Sequence, residues 1–266
     1  MRGGVPMGIG GLLLLLVLSW ATGTDFLSLL GGVEQGAPSS VATGTSGDLQ
    51  TSPEEERLVD MVGAVASDVQ DTWQRLLGDR YRRTKVTIFR DVWQSGCGTA
   101  ESATGPFYCP ADELVYLDLG FFQELSQRFG APGDFAQAYV VAHEFGHHVQ
   151  NILGTNQRVK SGSMGANSAS VALELQADCY AGVWGNAASG GGRFHAGKVE
   201  LDPGDAEEAL RAASVIGDDH LQKMATGRVQ PERFTHGTSA QRAEWFRRGM
   251  STGDPRQCDT FSELTH

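Results

Sequence analysis

The chain has 266 residues, 40% hydrophobic and 8% aromatic, enough for one domain of about 200 residues with a proper core, plus accessory segments. Its formal charge is −11 and its pI lies near 5.0. That balance excludes the basic surface nucleic-acid binding needs, so no nucleic-acid partner is expected.

Residues 8–21, GIGGLLLLLVLSWA, are apolar and uncharged. The run is short beside the ~20 residues of a spanning helix, though tilt or continuation towards Leu30 lengthens it past Asp25. Arg2 is the one charged side chain ahead of it, so the positive-inside rule places the rest of the chain outside the cytoplasm. Ser19-Trp20-Ala21 also has the small-x-small form of a signal-cleavage site. Residues 1–30 therefore read as a membrane anchor or a cleaved signal, and either way the product is exported. Residues 31–53, rich in Gly, Ser, Thr and Ala, read as a flexible linker. Residues 54–264 read as the folded domain.

Ser52 and Pro53 followed by Glu54, Glu55 and Glu56 make a good helix start. Leu58, Val62, Val65, Val69, Trp73 and Leu76 then give an apolar stripe that Gly78 ends. Lys85 to Trp93 alternates and is β-branched, which predicts a strand, and Leu114 to Leu119 predicts a second. Between them lie Cys97 and Cys109.

Gly133-Asp134 opens a segment in which Phe135, Ala138, Tyr139, Ala142, Phe145, Val149 and Ile152 recur at helical spacing. Asp134 is the expected N-cap and Gly154 the stop. Inside it stands His143-Glu144-Phe145-Gly146-His147, an H-E-x-x-H pentad. Two histidines four apart share one face of a helix, so both rings can reach one ion. Zinc takes nitrogen, sulfur or oxygen ligands tetrahedrally, and a catalytic site leaves one position for water. Glu144 is then placed to take that water's proton. The next helix, Ser168 to Asn186, carries Glu174 and Asp178 on one face of an otherwise apolar segment. Buried carboxylates are expensive unless a metal or a donor meets them. Glu174 fits as third ligand, and Asp178 as acceptor of a ligating histidine's free N–H. His148, His195, His220 and His236 are rival third ligands. His148 is the poorest, about 100° around the helix from His147.

Residues 154–167 and 189–197 read as polar loops that border the cleft or connect helices. Helical periodicity resumes from Asp205 to Thr226, and Thr238 or Ser239 caps a final helix holding Trp245 and Phe246. Four cysteines in an exported chain with no C-x-x-C predict disulfides, and three pairings are open. Cys97–Cys109 with Cys179–Cys258 is favoured: the first closes a short loop, worth about 3 kcal/mol in chain entropy. The second ties the C-terminal tail to the helix bearing Glu174. Val115 to Asp118 is the candidate strand for substrate β-addition. His236, Tyr180 and Arg242 are candidate oxyanion donors, His236 foremost.

The chain resembles the bacterial "putative neutral zinc metallopeptidase" family, and more loosely the gluzincins with an E-x-x-x-D second motif. The matching stretches are Gly96-Cys97-Gly98, GPFYCPAD from Gly105 and VYLDLGFF from Val115. They continue with the run from Phe129 through AHEFGHHVQNILG, ELQADCYAGVW from Glu174, HGTSAQR from His236 and GDPRQCDTF from Gly253. The resemblance implies zinc held by His143, His147 and Glu174, with Glu144 as base. A single membrane segment is usual in the family, which favours the anchor over the cleaved signal and a cell-membrane protein with its catalytic domain outside the cytoplasm.

The expectation is therefore an α+β zincin-like domain, a small sheet on a largely helical body, preceded by an N-terminal hydrophobic helix. Its expected function is zinc-dependent hydrolysis of peptide bonds in extracytoplasmic proteins or peptides. A silent membrane-tethered scaffold with structural zinc is the alternative from another class, and a cell-wall amidase is a third reading the same site permits.

Overall fold

The computed structural model describes residues 52–101, 105–131, 133–160, 162–190, 199–202 and 204–264. The N-terminal apolar run, nearly all of the linker and His195 lie outside the described residues, as do the expectations attached to them. No helix among the described residues is long and apolar enough to cross a membrane.

Helix α1, Pro53–Leu77, begins with a capping box in which Ser52 accepts the Glu55 amide and Glu55 takes the Ser52 N–H at 2.8 Å. It buries Val62, Val65, Val69 and Trp73 in the core. The expected strand over 85–93 is broken. β1, Val86–Phe89, and β2, Val92–Ser95, are separated at Asp91, whose φ of 63° is a left-handed turn that a strand cannot run through. β2 pairs antiparallel with β3, Gly98–Glu101.

The main sheet has the order β1-β5-β4, where β4 is Phe107–Cys109 and β5 is Leu114–Asp118. β5 runs parallel to β1 and antiparallel to β4. It is the middle strand, so Val115 to Asp118 has no free edge and is not the strand for β-addition. β4 is an edge, flanked by Pro106 and Pro110, residues that suit edges because they donate no ladder hydrogen bond. The strand expected to reach Leu119 stops at Asp118, and Leu119 opens helix α2, Leu119–Gln127.

Helix α3 is Asp134–Leu153. Gly133 is its N-cap rather than Asp134, and the Glu208 carboxylate accepts the Phe135 N–H from outside at 3.3 Å. Gly154 ends the helix at φ 75°, a conformation that suits glycine. Helix α4, Ala169–Ala188, is capped by Ser168 and lies buried on nearly every side. The helix expected over 205–226 breaks at Ile216-Gly217 into α5, Asp205–Val215, and α6, Asp218–Thr226. Thr238 caps α7, Ser239–Thr252, through a capping box with Gln241, and α8, Thr260–Leu264, closes the chain.

α4 is the shared wall of the core. Trp184 stacks on Phe135 of α3 at 5.5 Å between ring centres and donates its indole N–H to Asp68 of α1 at 2.8 Å. Tyr180 meets Trp73 of α1 edge to face at 5.0 Å. Against α7 the approach is backbone to backbone: a Cβ on Gly182 would run into the Phe246 carbonyl, and one on Gly249 into that of Cys179. Disulfides join Cys97 to Cys109 and Cys179 to Cys258, with Cα separations of 5.8 and 5.7 Å. This is the favoured pairing, and it uses all four cysteines. The architecture is α+β with a small sheet and a helical body.

Candidate metal centre

His143 and His147 face the same way from consecutive turns of α3, ring centres 4.8 Å apart, and Glu174 arrives from α4. One ligand atom from each of the three lies within 4.8 Å of the others. Glu174 Oε2 is 3.3 Å from His143 Nε2, and Glu174 Oε1 is 3.6 Å from His147 Nε2. Ligands ~2.1 Å from a tetrahedral zinc stand about 3.4 Å from one another, so two imidazole nitrogens and a carboxylate fit that ion in chemistry and spacing. No other group of three such residues is placed to hold a metal among the described residues. Of the rival ligands, His148 is fully buried, donating from Nε2 to the Arg82 carbonyl at 2.6 Å and facing the Tyr108 hydroxyl at 3.1 Å. His220 sits on α6 outside the group.

What lets α4 come this near is Gly146, between the two histidines. A Cβ there would stand 3.0 Å from both the Cα and the carbonyl oxygen of Ala177, closer than side-chain contacts normally allow.

Each histidine is held from behind. His143 Nδ1 lies 2.8 Å from Asp178 Oδ1, and His147 Nδ1 lies 2.8 Å from Gln150 Oε1. Both contacts leave Nε2 turned to the shared point. Asp178 is fully buried. It takes the Tyr139 hydroxyl at 2.5 Å and the Arg242 guanidinium at 2.8 and 2.9 Å. Arg242 is thus engaged behind His143 and is no oxyanion donor, and Tyr180 points into the core against Trp73. Burial pushes the Asp178 carboxyl up, but Arg242 and His143 prevail and hold it well below the usual range. Burial alone would lower the His143 imidazole, yet the Asp178 carboxylate with Glu174 raises it to about 10. Glu174 is likewise held low against burial by His147 and His143.

Glu144 differs from all of these. It is 6% exposed and, among the described residues, makes no hydrogen bond or ion pair. Burial raises its carboxyl, although His143 and His147 pull the other way. Its side chain lines the cleft, within reach of a group bound there.

These groups form one wall of that cleft, which has a volume of about 570 Å³. Its lining also includes an aromatic group, Phe107 and Tyr108 of the edge strand β4 with Phe121 and Phe129. Asn156 brings the expected loop after α3 to the rim, and His236 borders the cleft with its side chain half exposed. His236 Nδ1 lies 3.3 Å from Asp218 Oδ1, while Asp218 Oδ2 takes the backbone N–H groups of Thr235, His236 and Gly237 at 2.7 to 3.0 Å. Burial would lower the His236 imidazole, but the Asp218 hydrogen bond raises it. Sequence reasoning did not find Gln150, Asp218 or the aromatic wall. Gln150 had a faint signal, standing three residues after His147 on the same helical face. The other two come together only through the fold.

A family model described as "Putative neutral zinc metallopeptidase" matches residues 1–261. The chain is 44% identical over 269 residues to the uncharacterized protein YpfJ of Escherichia coli K12, covering 97% of this chain and 89% of that one. It is 48% identical over 205 residues to the uncharacterized proteins Mb2605 of Mycobacterium bovis and Rv2575 of Mycobacterium tuberculosis, covering 76% of this chain and 70% of each. No solved structure matches the chain.

Proposed function

The chain belongs to the neutral zinc metallopeptidase family, and on that premise we propose that it hydrolyses peptide bonds using the centre formed by His143, His147, Glu174 and Glu144. One observation carries the reading. Glu144 lines the cleft beside a set of metal-ligand type, without a hydrogen-bond partner among the described residues and with its pKa raised by burial. A structural zinc site has no use for such a group, whereas a hydrolase needs it.

His143, His147 and Glu174 would hold the ion. Zinc bound there supplies a Lewis acid that activates water and polarises a carbonyl. Glu144 accepts the water proton and returns it to the leaving amine. His236, which borders the cleft and is held at Nδ1 by Asp218 and the Thr235 hydroxyl, donates to the developing oxyanion. The edge of β4 offers backbone groups to an extended peptide. Phe107, Phe121 and Phe129 favour a bulky apolar side chain near the scissile bond over an ionic one.

We further propose a substrate outside the cytoplasm, a reading supported by the cysteines and the N-terminal composition. All four cysteines are paired, as suits an oxidising compartment, and residues 1–30 have the composition of an anchor or signal. The test is hydrolysis of an unfolded protein by the purified full chain, inhibited by a chelator and restored by zinc. Glu144→Ala should abolish turnover while zinc content stays at one per chain. A parent protein that binds zinc and turns over no peptide substrate sinks the reading.

A further inference from the structure

Behind His147 a line of side-chain amides leads away from the site. Gln150 and Gln176 are buried, so the sense in which each amide points is a matter of matching donors to acceptors. Gln150 Nε2 is 2.7 Å from the Leu173 carbonyl oxygen and 3.2 Å from Gln176 Oε1. Gln176 Nε2 is 2.8 Å from the Cys258 carbonyl oxygen. A backbone carbonyl only accepts. The one at Cys258 therefore requires the NH2 of Gln176, which leaves Gln176 Oε1 facing Gln150. The carbonyl at Leu173 together with that oxygen requires the NH2 of Gln150, which leaves Gln150 Oε1 facing His147. The ring nitrogen 2.8 Å away must then carry the proton. Reversing either amide sets oxygen against oxygen inside the protein, at the cost of a lost buried hydrogen bond and added repulsion.

We propose that Gln150 and Gln176 are positioning residues that fix the tautomer of His147, keeping its Nε2 lone pair toward the ligand cluster. Two carbonyls set the sense of the chain. Leu173 adjoins Glu174 on α4, so the bond from Gln150 also sets the spacing between that ligand and His147. Cys258 is held in place by its disulfide to Cys179, the residue next to Asp178. The C-terminal tail is thereby wired to one ligating ring, much as Arg242 and Asp178 hold the other.

The inference rests on His143, His147 and Glu174 being metal ligands, and its test reads binding and tautomer rather than turnover. Zinc affinity of the full chain is measured by competition with a chelator for the parent, Gln150→Leu, Gln150→Glu and Gln176→Leu. Loss of a group supporting a metal-bound histidine typically weakens binding about 10- to 100-fold, and Gln150→Leu should fall in that range. Gln150→Glu keeps an oxygen on Nδ1 but loses the NH2 that the Leu173 carbonyl and Gln176 Oε1 require, so it should weaken binding clearly less than Gln150→Leu without matching the parent. Gln176→Leu should lie between them. A packing role predicts the reverse order, since leucine fills the same apolar surroundings without a buried charge. In parallel, nitrogen NMR of the metal-free protein at alkaline pH should show the proton of His147 on Nδ1, and a mixture of tautomers in Gln150→Leu. Parent-like affinity in Gln150→Leu, equal losses in Gln150→Leu and Gln150→Glu, or a parent ring protonated on Nε2 would each overturn the proposal. A parent that takes up no zinc defeats the ligand reading instead, and the tautomer measurement still decides the fate of the amide chain.

Discussion

Arg242 and Asp178 meet side on, Nε to Oδ2 at 2.8 Å and Nη2 to Oδ1 at 2.9 Å, and both are almost completely buried. The pair joins α7 to α4 directly behind His143. Removing one member of a buried pair strands the other's charge, at a cost of about 3–5 kcal/mol. Arg242→Met should therefore lower the denaturation midpoint strongly, with a smaller loss in the double variant Arg242→Met/Asp178→Asn. Thermal melts with and without chelator check this, and additive losses would contradict it.

Metal-free protein should lose stability in alkali. The His143 imidazole is raised to about 10 in the folded state, against an ordinary value of 6.5. A raised folded pKa contributes stability that is fully present below 6.5 and disappears as pH rises towards 10. With zinc bound the metal stands where the proton was, so the alkaline fall should vanish, and zinc affinity should rise through the same interval. Melting temperatures from pH 6 to 10, with chelator or with zinc, separate the two states. Parallel curves would show that His143 is no ligand.

Replacing His236 by Phe should reduce kcat by about 100- to 1000-fold, as removal of an oxyanion donor does, with KM and zinc content little changed. Asp218→Asn should act in the same direction, because Asp218 holds both the ring and its loop. Glu144 must be ionised and His236 protonated. Activity should therefore fall in acid below the raised Glu144 pKa and in alkali above the raised His236 pKa. Loss of the alkaline limb in His236→Phe assigns it, and its persistence would remove His236 from the mechanism.

The aromatic side of the cleft predicts selectivity. In peptides differing at one position beside the scissile bond, kcat/KM should be greatest for Phe or Leu and low for Asp or Lys. Phe121→Ala should narrow the preference of Phe over Ala by about 1–3 kcal/mol. A flat profile across such a panel would dissociate the wall from substrate choice.

The centre was largely legible because its parts are local. A pentad on a strong 3.6-residue pattern places two rings together, and a lone acidic pair on an apolar helix has few uses besides a metal or a buried donor. What the sequence hid is non-local or depends on backbone detail. Asp91 breaks an alternating run by turning left-handed, and the apolar run of β5 continues past Asp118 into a helix that Leu119 opens. Which strand lies at the sheet edge depends on pairing order, and that order puts β5 in the middle with β4 at an edge. Gln150 looks like any polar helix position until its carbonyl partners on α4 are known.

Where α4 meets its neighbours, Gly146, Gly182 and Gly249 bring main chain onto main chain. Side-chain interfaces can repack when a residue changes, but peptide groups in contact have nothing to rearrange. The coordinates of the reactive groups are therefore referenced to the backbone itself, and substitutions elsewhere in the apolar interior can accumulate without disturbing them. Drift in the core should be tolerated, whereas a single methyl group at any of these three positions should force the helices apart.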